Sequence, residues 1–255
     1  MITFTTLGAG QYYLTPGDLS LYNSAGHLLE TPQAKILFDF GRGCLRTLTA
    51  LGISVHDIDL LCLSHLHPDH VADVLPFLQT HFVEYAKMPE RRNKQLTIIG
   101  PVGVQEWFKM QCKYLFDTLP YKPLVSEAPT NWQGSDFTIK TALLKHAVPN
   151  IGLCLTSDGK TITYSGDTGA TPALDKLAAG SALLVLECAN NPGQVTPHHL
   201  SPEECGQIAT KVGTQQLILT HYGSIKRQTE LRLATQKYFC GTLTFGKEGK
   251  KICMS

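Results

Sequence analysis

The amino-acid sequence lacks an excess of charge of either sign and any apolar run long enough to span a bilayer as a helix. Its 22 Lys and Arg residues nearly balance its 21 Asp and Glu residues, so the formal net charge is only +1. This balance argues against nucleic-acid binding driven by overall charge, although it leaves room for a local basic patch. The start of the chain has neither the basic nor the apolar segment of a secretory signal. We therefore expect a cytoplasmic protein without membrane association.

Two spacings typical of well-known sites are also missing. The 8 cysteines are scattered and no two form a C-x-x-C pair, which argues against a structural thiolate zinc site. Cys62, Cys154 and Cys188 lie inside apolar strand-like runs, so we interpret them as reduced core residues. Residues 7–10 are rich in glycine after a strand, but no complete G-x-G-x-x-G follows, which argues against a dinucleotide site.

The patterning predicts one layered α/β domain over residues 1–255. No linker, repeat or low-complexity segment divides the chain. Apolar strand-like runs alternate with helical patterns, which favours helices that cover two sheets. The expected strands are 2–7, 35–40, 59–64, 96–100, 137–146, 151–156, 161–165, 182–187 and 215–220. The expected helices are 44–51, 71–85, 103–116, 171–179, 201–212 and 225–238.

Turn and breaker residues refine this pattern. The Ser157-Asp158-Gly159-Lys160 segment predicts a hairpin, and a second hairpin is expected around Gly246–Gly249. Pro76 lies inside a helical pattern and predicts a kink or a late helix start there. Residues 11–26, rich in Tyr, Gly, Pro, Ser and Asn, predict a long functional loop.

Histidine provides the strongest chemical signal. His65, His67, Asp69 and His70 directly follow the apolar run 59–64. A core strand cannot bury such groups without partners. Strand alternation would point the first three of them to one side, and a turn after Asp69 would bring His70 in beside them. Neutral imidazole and carboxylate suit Zn, Mn or Fe. The sequence therefore predicts a metal site here rather than a loop of surface histidines.

Four further candidates each follow a predicted strand: His146, Asp167, Glu187 and His221. Taken singly, each is equally compatible with a cap, a turn residue or a hydrogen-bonded core residue. Together they repeat one arrangement, in which an apolar strand ends in a metal-type side chain. That arrangement places a site on rigid elements.

These motifs resemble those of the metallo-β-lactamase-fold hydrolases. The resemblance rests on the segment 64–70, on His146, on Ser165-Gly166-Asp167-Thr168 and on Leu219-Thr220-His221. The Pro-Gly-His-Thr context of lactamases and many lactonases is absent. The segments 145–152, 7–10 and 38–43 are similar instead to the ribonuclease Z and phosphodiesterase branch. The resemblance spans residue 3 to about residue 222 and implies a four-layer αββα sandwich, with the site at one edge of the two sheets.

The resemblance also implies two divalent metal ions, which we expect to be Zn²⁺, with Mn²⁺ or Fe as alternatives because imidazole and carboxylate accept all three. The first ion is expected on His65, His67 and His146, the second on Asp69, His70 and His221, and Asp167 is expected to bridge them. Relatives in this branch are often homodimers, so we expect a homodimer with residues 71–95 as its interface.

The resemblance further implies a proton-donor pair, formed in ribonuclease Z by a Glu and a downstream His. Glu187 and His199 match this pair, and His198 is the competing choice in the doublet. Asp69 is expected to orient the attacking water or to take its proton. Asp39 is expected to support the site through hydrogen bonds rather than to bind metal.

Two departures from ribonuclease Z shape the expected function. The long arm that grips the tRNA elbow is missing, because only residues 147–166 separate His146 from Asp167 and they predict a plain hairpin. The usual Ser-x-Arg-Tyr after the last histidine is missing as well. We therefore expect a phosphodiesterase that acts on a cyclic nucleotide, a cyclic ribose phosphate or short RNA or DNA by attack of a metal-bound hydroxide. The alternatives are tRNA 3′-processing, lactone or thioester hydrolysis in the same fold, and a non-enzymatic binding role.

Several side chains are candidates for substrate contact, although each is also compatible with a plain structural role. The basic candidates, which otherwise form a solvated face, are Arg42, Arg91, Arg92, Lys94, Lys226 and Arg227, with Asn93 in the same loop. The aromatic candidates, which otherwise pack in the core or on the surface, are Tyr12, Tyr13, Phe82, Trp107 and Trp132.

Overall fold

Two mixed sheets form the centre of the molecule. The computed structural model describes residues 1–11, 23–87, 95–113, 123–128, 131–223 and 227–254. In spatial order the first sheet contains Lys251–Met254 (β14), Ile2–Gly8 (β1), Gly26–Glu30 (β2), Lys35–Phe40 (β3), Leu60–Cys62 (β4), Thr97–Gly100 (β5) and Leu124–Glu127 (β6). The second contains Thr242–Phe245 (β13), Gln216–Thr220 (β12), Leu183–Glu187 (β11), Lys160–Tyr164 (β10), Asn150–Ser157 (β9), Phe137–Leu144 (β8) and Asn131–Gln133 (β7).

Helices cover the outer face of each sheet. They are Cys44–Ala50 (α1), Pro68–Val71 (α2), Val74–Lys87 (α3), Val104–Cys112 (α4), Pro172–Ala178 (α5), Pro202–Val212 (α6) and Gln228–Gln236 (α7). No helix in the described ranges combines the length and the apolar character needed to cross a membrane.

Three apolar cores separate these layers and confirm the expected four-layer αββα architecture. The first packs α1, α3 and α4 against one face of the first sheet and includes Leu48, Phe77 and Val104. The second lies between the sheets and includes Phe38 of the first sheet and Leu153 of the second. The third packs α5, α6 and α7 against the second sheet. Each sheet therefore buries both faces, which explains why its central strands are continuous apolar runs rather than alternating ones.

Several local predictions are confirmed, for physical reasons visible in the chain. Asp158 and Gly159 both have positive φ, at 49° and 69°, as the tight turn between β9 and β10 requires. Ser201 forms a capping box at the start of α6, where its side chain accepts a hydrogen bond from the backbone N–H of Glu204. Pro76 lies in the first turn of α3, where its missing N–H costs no intrahelical hydrogen bond.

Other predictions need correction. The strands β2, β6 and β7 were not expected from the sequence. The hairpin expected around Gly246–Gly249 is wrong, because β13 pairs with β12 in one sheet whereas β14 pairs with β1 in the other. The reason is burial: Phe245 faces the core of the second sheet and its helices, whereas Met254 packs between the two sheets.

Parallel pairing brings the candidate residues to one edge. In the second sheet β10, β11 and β12 run parallel, and their carboxyl ends lead to Asp167, Glu187 and His221. In the first sheet β3 and β4 run parallel and lead to Asp39 and to the histidine-rich segment. The carboxyl ends of parallel strands are the usual location of ligand sites in α/β proteins.

Candidate metal centre

The segment that contains the first histidines changes conformation partway. The strand β4 ends at Cys62, and the chain then extends to His67, which precedes a helical turn that begins at Pro68. Asp69 and His70 therefore belong to the short helix α2. The expectation that Asp69 continues the strand alternation is wrong, because Pro68 occupies the first helical position and starts the turn one residue earlier.

Three imidazole nitrogens converge on one point. His65 Nε2 lies 3.1 Å from His67 Nδ1, and that atom lies 3.3 Å from His146 Nε2. The opposite ring nitrogens are engaged elsewhere: His65 Nδ1 is 3.0 Å from Ser64 Oγ, and His146 Nδ1 is 3.1 Å from the carbonyl oxygen of His198. Burial lowers the pKa of both His65 and His146. Both rings therefore stay neutral, which is the form that binds metal.

A second group shares Asp167 with the first. His221 Nε2 lies 3.1 Å from Asp69 Oδ2, and His70 Nε2 lies 3.8 Å from the same oxygen. Asp167 Oδ1 lies 3.4 Å from His70 Nε2. Its Oδ2 lies 3.4 Å from His221 Nε2 and 3.9 Å from His65 Nε2. Asp167 thus lies between the two groups.

The spacing and chemistry of these atoms fit divalent metal ions. Two ligands at about 2.0–2.1 Å from a tetrahedral zinc ion are about 3.3–3.4 Å apart, close to most of the distances above. The ring nitrogen His70 Nε2 and the carboxylate oxygen Asp167 Oδ1 are buried and make no hydrogen bond. Such orphaned atoms are costly without a ligand. Six imidazoles and three carboxylates make up the groups that could hold an ion, because His199 and Glu187 lie within reach of the seven expected ligands, and these side chains suit Zn, Mn or Fe.

Asp39 supports the cluster from behind, as expected. Its Oδ1 accepts a hydrogen bond from the backbone N–H of Ser64 at 2.7 Å. Its Oδ2 lies 2.7 Å from Ser64 Oγ, from His70 Nδ1 and from Tyr164 Oη. The contact to His70 leaves the Nε2 atom of that ring to face the cluster. Sequence reasoning missed Tyr164, because a tyrosine at the end of an apolar strand is indistinguishable from a core residue.

The backbone takes unusual conformations where it approaches the cluster. Asp39 and His221 have φ values of 54° and 53°, a region that non-glycine residues seldom adopt. Gly166 has φ +57°, and a Cβ there would lie 2.5 Å from Asn150 Oδ1 and 2.6 Å from Ser64 Cβ. Backbone strain of this kind is typical of functional sites held by surrounding structure.

Glu187 and His199 form a hydrogen-bonded pair beside the cluster. His199 Nδ1 lies 2.8 Å from Glu187 Oε1 and 4.0 Å from Asp167 Oδ2. The backbone N–H groups of Thr168 and Ala189 also donate to the Glu187 carboxylate. Although burial lowers the pKa of His199, the bond to Glu187 and the nearby carboxylates raise it above its ordinary value. The imidazole therefore readily holds a proton near neutral pH.

The histidine doublet is resolved by these contacts. His198 is exposed, and it contributes its backbone carbonyl oxygen to His146. His199, rather than His198, contacts Glu187. Its ring also stacks on the ring of His221, with centroids 5.9 Å apart.

An open cavity of about 670 Å³ lies above the cluster. Its walls include neutral polar side chains that sequence reasoning did not identify, namely Gln11, Asn190 and Gln194. No motif marks these residues, because they come from loops that meet only in the folded chain. The volume lies within the usual range for small-molecule sites, about 300–1,000 Å³.

The other candidate contact residues are mostly distant from this cavity or outside the described ranges. Neither Arg42 nor Arg227 is among the residues that line the cavity. Arg42 is exposed, and Arg227 Nη2 donates to the carbonyl oxygen of Asn190, a residue of the cavity wall, at 3.3 Å. Phe82 and Trp107 belong to the core under the first helical layer, and Trp132 packs against the core between the sheets. These three aromatic side chains therefore pack in or against a core rather than stacking on a substrate base. The candidates outside the described ranges are Tyr12, Tyr13, Arg91, Arg92, Asn93, Lys94 and Lys226.

Comparison with known proteins agrees with the architecture. Residues 35–222 match the family model of the β-lactamase superfamily domain. A ribonuclease Z from Mycolicibacterium gilvum is 30% identical over 250 residues, which cover 87% of this chain and 84% of that protein. Among solved structures, the metallo-β-lactamase-fold protein YhfI from Bacillus subtilis gives a TM-score of 0.82 at 22% identity, with 98% of both chains covered. The short form of human tRNase Z gives 0.80 at 20% identity, with 99% of both chains covered.

These matches agree with the two-sheet fold and with the cluster of histidines and aspartates at the sheet edge. The chain belongs to the β-lactamase superfamily, as a metallo-β-lactamase-fold, metal-dependent hydrolase related to ribonuclease Z.

Proposed function

We propose that the protein is a binuclear metal phosphodiesterase that hydrolyses a small phosphodiester, with residues 1–255 as one hydrolase domain. The observation that carries the proposal is the contact between His199 and Glu187 directly beside the histidine and aspartate cluster. Cleavage of an alkyl phosphodiester expels an alkoxide, which is a poor leaving group and needs a proton. A protonated imidazole held by a buried carboxylate beside the cluster is suited to supply that proton.

The proposed metal ligands are the atoms that converge in the structure. His65, His67 and His146 would hold one ion, Asp69, His70 and His221 the other, and Asp167 would bridge them. We propose Zn²⁺ at both positions. When bound, such ions lower the pKa of a water and neutralise charge on the phosphate oxygens.

The protein's own groups complete the proposed chemistry. Glu187 engages Nδ1 of His199, which leaves Nε2 to pass a proton to the leaving oxygen as the P–O bond breaks. Asp69 lines the cavity and would orient the attacking water or accept its proton.

Two structural features favour a small substrate. Residues 147–166 contain little besides β9, β10 and their tight turn, so no extended arm is available there to bind a large RNA. Besides the cluster and His199, the described part of the cavity wall carries neutral residues and no Lys or Arg, whereas a polyanion requires a group of cations. We therefore favour a cyclic nucleotide, a cyclic ribose phosphate or a short oligonucleotide.

The relatives named ribonuclease Z favour a second candidate, which is 3′-processing of tRNA precursors. The same cluster and the same donor pair would serve that reaction. The two candidates differ in the surface that binds the rest of the substrate, so they are separated by substrate length and by salt dependence. Because binding to polyanions releases counterions, tRNA processing would weaken steeply between 50 and 200 mM salt, whereas cleavage of a small diester would not.

The test is hydrolysis of bis(p-nitrophenyl) phosphate by protein of measured metal content. The comparison set is p-nitrophenyl phosphate, p-nitrophenyl acetate and a tRNA precursor with a 3′ trailer. Asp167→Asn should abolish turnover, whereas Asp158→Asn, the same change at an exposed hairpin residue, should leave it intact. The proposal is supported if the wild type and Asp158→Asn hydrolyse the small diester and Asp167→Asn does not. Selective cleavage of the tRNA precursor supports the second candidate, and ester hydrolysis alone overturns both.

The expected homodimer and the cytoplasmic location stay predictions of the sequence. The proposed interface, residues 71–95, includes residues 88–94, which lie outside the described ranges. Sedimentation equilibrium of the purified protein would measure the oligomeric state directly.

A further inference from the structure

The loop between β11 and α6 is organised by one buried side chain. We call residues 190–200 the donor loop, since it contains His199. Asn190, at its start, is only 5% exposed. Its Nδ2 donates to the carbonyl oxygen of His199 at 2.8 Å and to Thr196 Oγ1 at 3.1 Å. Its backbone N–H donates to the carbonyl oxygen of Leu200 at 3.1 Å. One residue therefore closes the donor loop through both its side chain and its backbone.

The donor loop is also anchored to the metal-type cluster. The carbonyl oxygen of His198 lies 3.1 Å from His146 Nδ1. The next carbonyl group along the chain, that of His199, is the one that accepts from Asn190. The backbone of the loop approaches the segment after Asp167 closely, because a Cβ at Gly169 would lie 2.4 Å from the carbonyl oxygen of Pro197. The position of the His199 backbone is thus set from two sides.

These contacts divide the placement of the imidazole into two parts. Glu187 fixes the orientation of the His199 ring through Nδ1, and Asn190 fixes the backbone from which that ring extends. With the first contact alone, the ring can keep its carboxylate partner while its Nε2 moves relative to the reacting atoms. A displacement of about 1 Å can cost about 100-fold in rate when reacting groups must be aligned.

We propose that Asn190 is a positioning residue for proton transfer, which acts by holding the backbone of His199. The inference rests on the proposed function, in which His199 protonates the leaving oxygen. In that step the water oxygen forms a new P–O bond and passes a proton to Asp69, the P–O bond to the leaving group breaks, and the proton of His199 goes to the departing oxygen. Asn190 lines the cavity, but its buried amide is committed to the donor loop rather than to substrate.

The test uses a series of methyl aryl phosphates whose phenols differ in acidity. A donor matters little for a p-nitrophenolate leaving group and greatly for an unsubstituted phenolate. For wild type we expect log kcat/KM to fall only slightly as the pKa of the leaving phenol rises. For Asn190→Ala we expect a steeper fall, with the ratio of phenyl to p-nitrophenyl turnover reduced about 10- to 100-fold. A loss of general structure or of metal would lower all members of the series together.

Two controls separate positioning from folding. Asn191→Ala changes an exposed neighbour in the same loop and should keep the wild-type slope. His199→Ala should give the steep slope by itself, and adding Asn190→Ala to it should cause little further change, since coupled residues are not additive. If Asn190→Ala does not fold, Thr196→Ala removes the hydroxyl partner of the Asn190 amide and should steepen the slope by a smaller factor.

The outcomes distinguish this inference from the function on which it rests. A steeper slope for Asn190→Ala at wild-type metal content supports the positioning role. If the plot of log kcat/KM for Asn190→Ala runs parallel to that of wild type, the positioning role is overturned and the phosphodiesterase proposal stays intact. The same conclusion follows if the effects of Asn190→Ala and His199→Ala add in the double variant. Failure of the metal-loaded wild type to cleave any diester in the series overturns both.

Discussion

Replacement of Asp39 by asparagine should weaken the candidate metal centre without changing its shape. The carboxylate is fully buried and faces four donor groups: the backbone N–H and hydroxyl of Ser64, the ring of His70 and the phenol of Tyr164. An asparagine of the same size has only one acceptor oxygen. In either orientation, its amide nitrogen would face at least one of these donors.

The expected magnitude follows from the hydrogen bonds that change. Loss of a buried hydrogen bond to a charged group costs about 1.5–3 kcal/mol, and the remaining bonds lose their charge assistance. We therefore expect a loss of about 3 kcal/mol in the free energy of unfolding of the metal-free protein. For a chain of this size that corresponds to a fall in Tm of about 6–12 °C. Because Asp39 orients the ring of His70, metal affinity should also fall about 10- to 100-fold at the position that His70 serves.

The assay combines thermal unfolding by circular dichroism with zinc titration against a chelating dye. Tyr164→Phe is the graded control, because it removes one donor but keeps the carboxylate and the packing of the ring. It should cost about 1 kcal/mol and affect metal affinity less than tenfold. Addition of zinc should raise Tm more for wild type than for Asp39→Asn, since binding to the folded state alone stabilises it by an amount that grows with the logarithm of the affinity.

One result would refute this reasoning. If Asp39→Asn binds two equivalents of zinc within twofold of the wild-type affinities and melts within about 2 °C of wild type, then Asp39 does not support the cluster as its contacts indicate. A loss of stability without any loss of metal affinity would limit its role to the core.

Three further predictions concern backbone, substrate charge and pH. Gly166→Ala should lose metal binding and lower the free energy of unfolding by more than about 1–3 kcal/mol, because the new Cβ would clash with Asn150 Oδ1. Gly180→Ala is the control, since Gly180 has a similar positive φ and open space around it, and it should cost only about 1 kcal/mol. Urea unfolding measures both values. Arg227→Ala should raise KM for bis(p-nitrophenyl) phosphate about fivefold, the effect of a partly exposed charge worth about 1 kcal/mol, and Arg42→Ala should not change it. Burial, with a smaller contribution from His70, lowers the pKa of His27 to about 3, so the unfolded state binds more protons below pH 6.5 and stability falls there. The metal-free protein should lose about 2 kcal/mol between pH 7 and pH 5 from this residue, and His27→Leu should remove that part of the slope; an unchanged slope would contradict the assignment.

The fold was predictable where apolar periodicity is strong and local. Most of the central strands follow from runs such as 35–40 and 182–187, since burial on both faces demands continuous apolar sequence. The α-helices of the described ranges match predicted segments, except the short helix α2, which was expected to continue a strand. The edge strands β6 and β7 escaped prediction because their residues are half-exposed or exposed and carry no apolar pattern. Strand β2 is fully buried up to its last residue but begins with Gly26 and His27, which resemble a continuing loop.

The residues of the candidate centre were predictable for a related reason. A histidine or aspartate directly after an apolar strand must find a partner, and parallel strands bring their carboxyl ends to one edge. The family resemblance added the grouping of these residues, and the observed distances among His65, His67 and His146 agree with it. Their roles as metal ligands stay predictions until an ion is measured.

The sequence by itself therefore determined the strand–helix alternation and the set of side chains available for metal chemistry, because both depend on neighbours along the chain. Only the tertiary structure decided which histidine of the doublet meets Glu187, which side chains brace the donor loop, and which sheet receives β14. Those outcomes depend on contacts between residues far apart in sequence, such as Tyr164 with Asp39 and His146 with the carbonyl group of His198. Such contacts form only when both sheets bury their apolar faces together, and no local pattern encodes them.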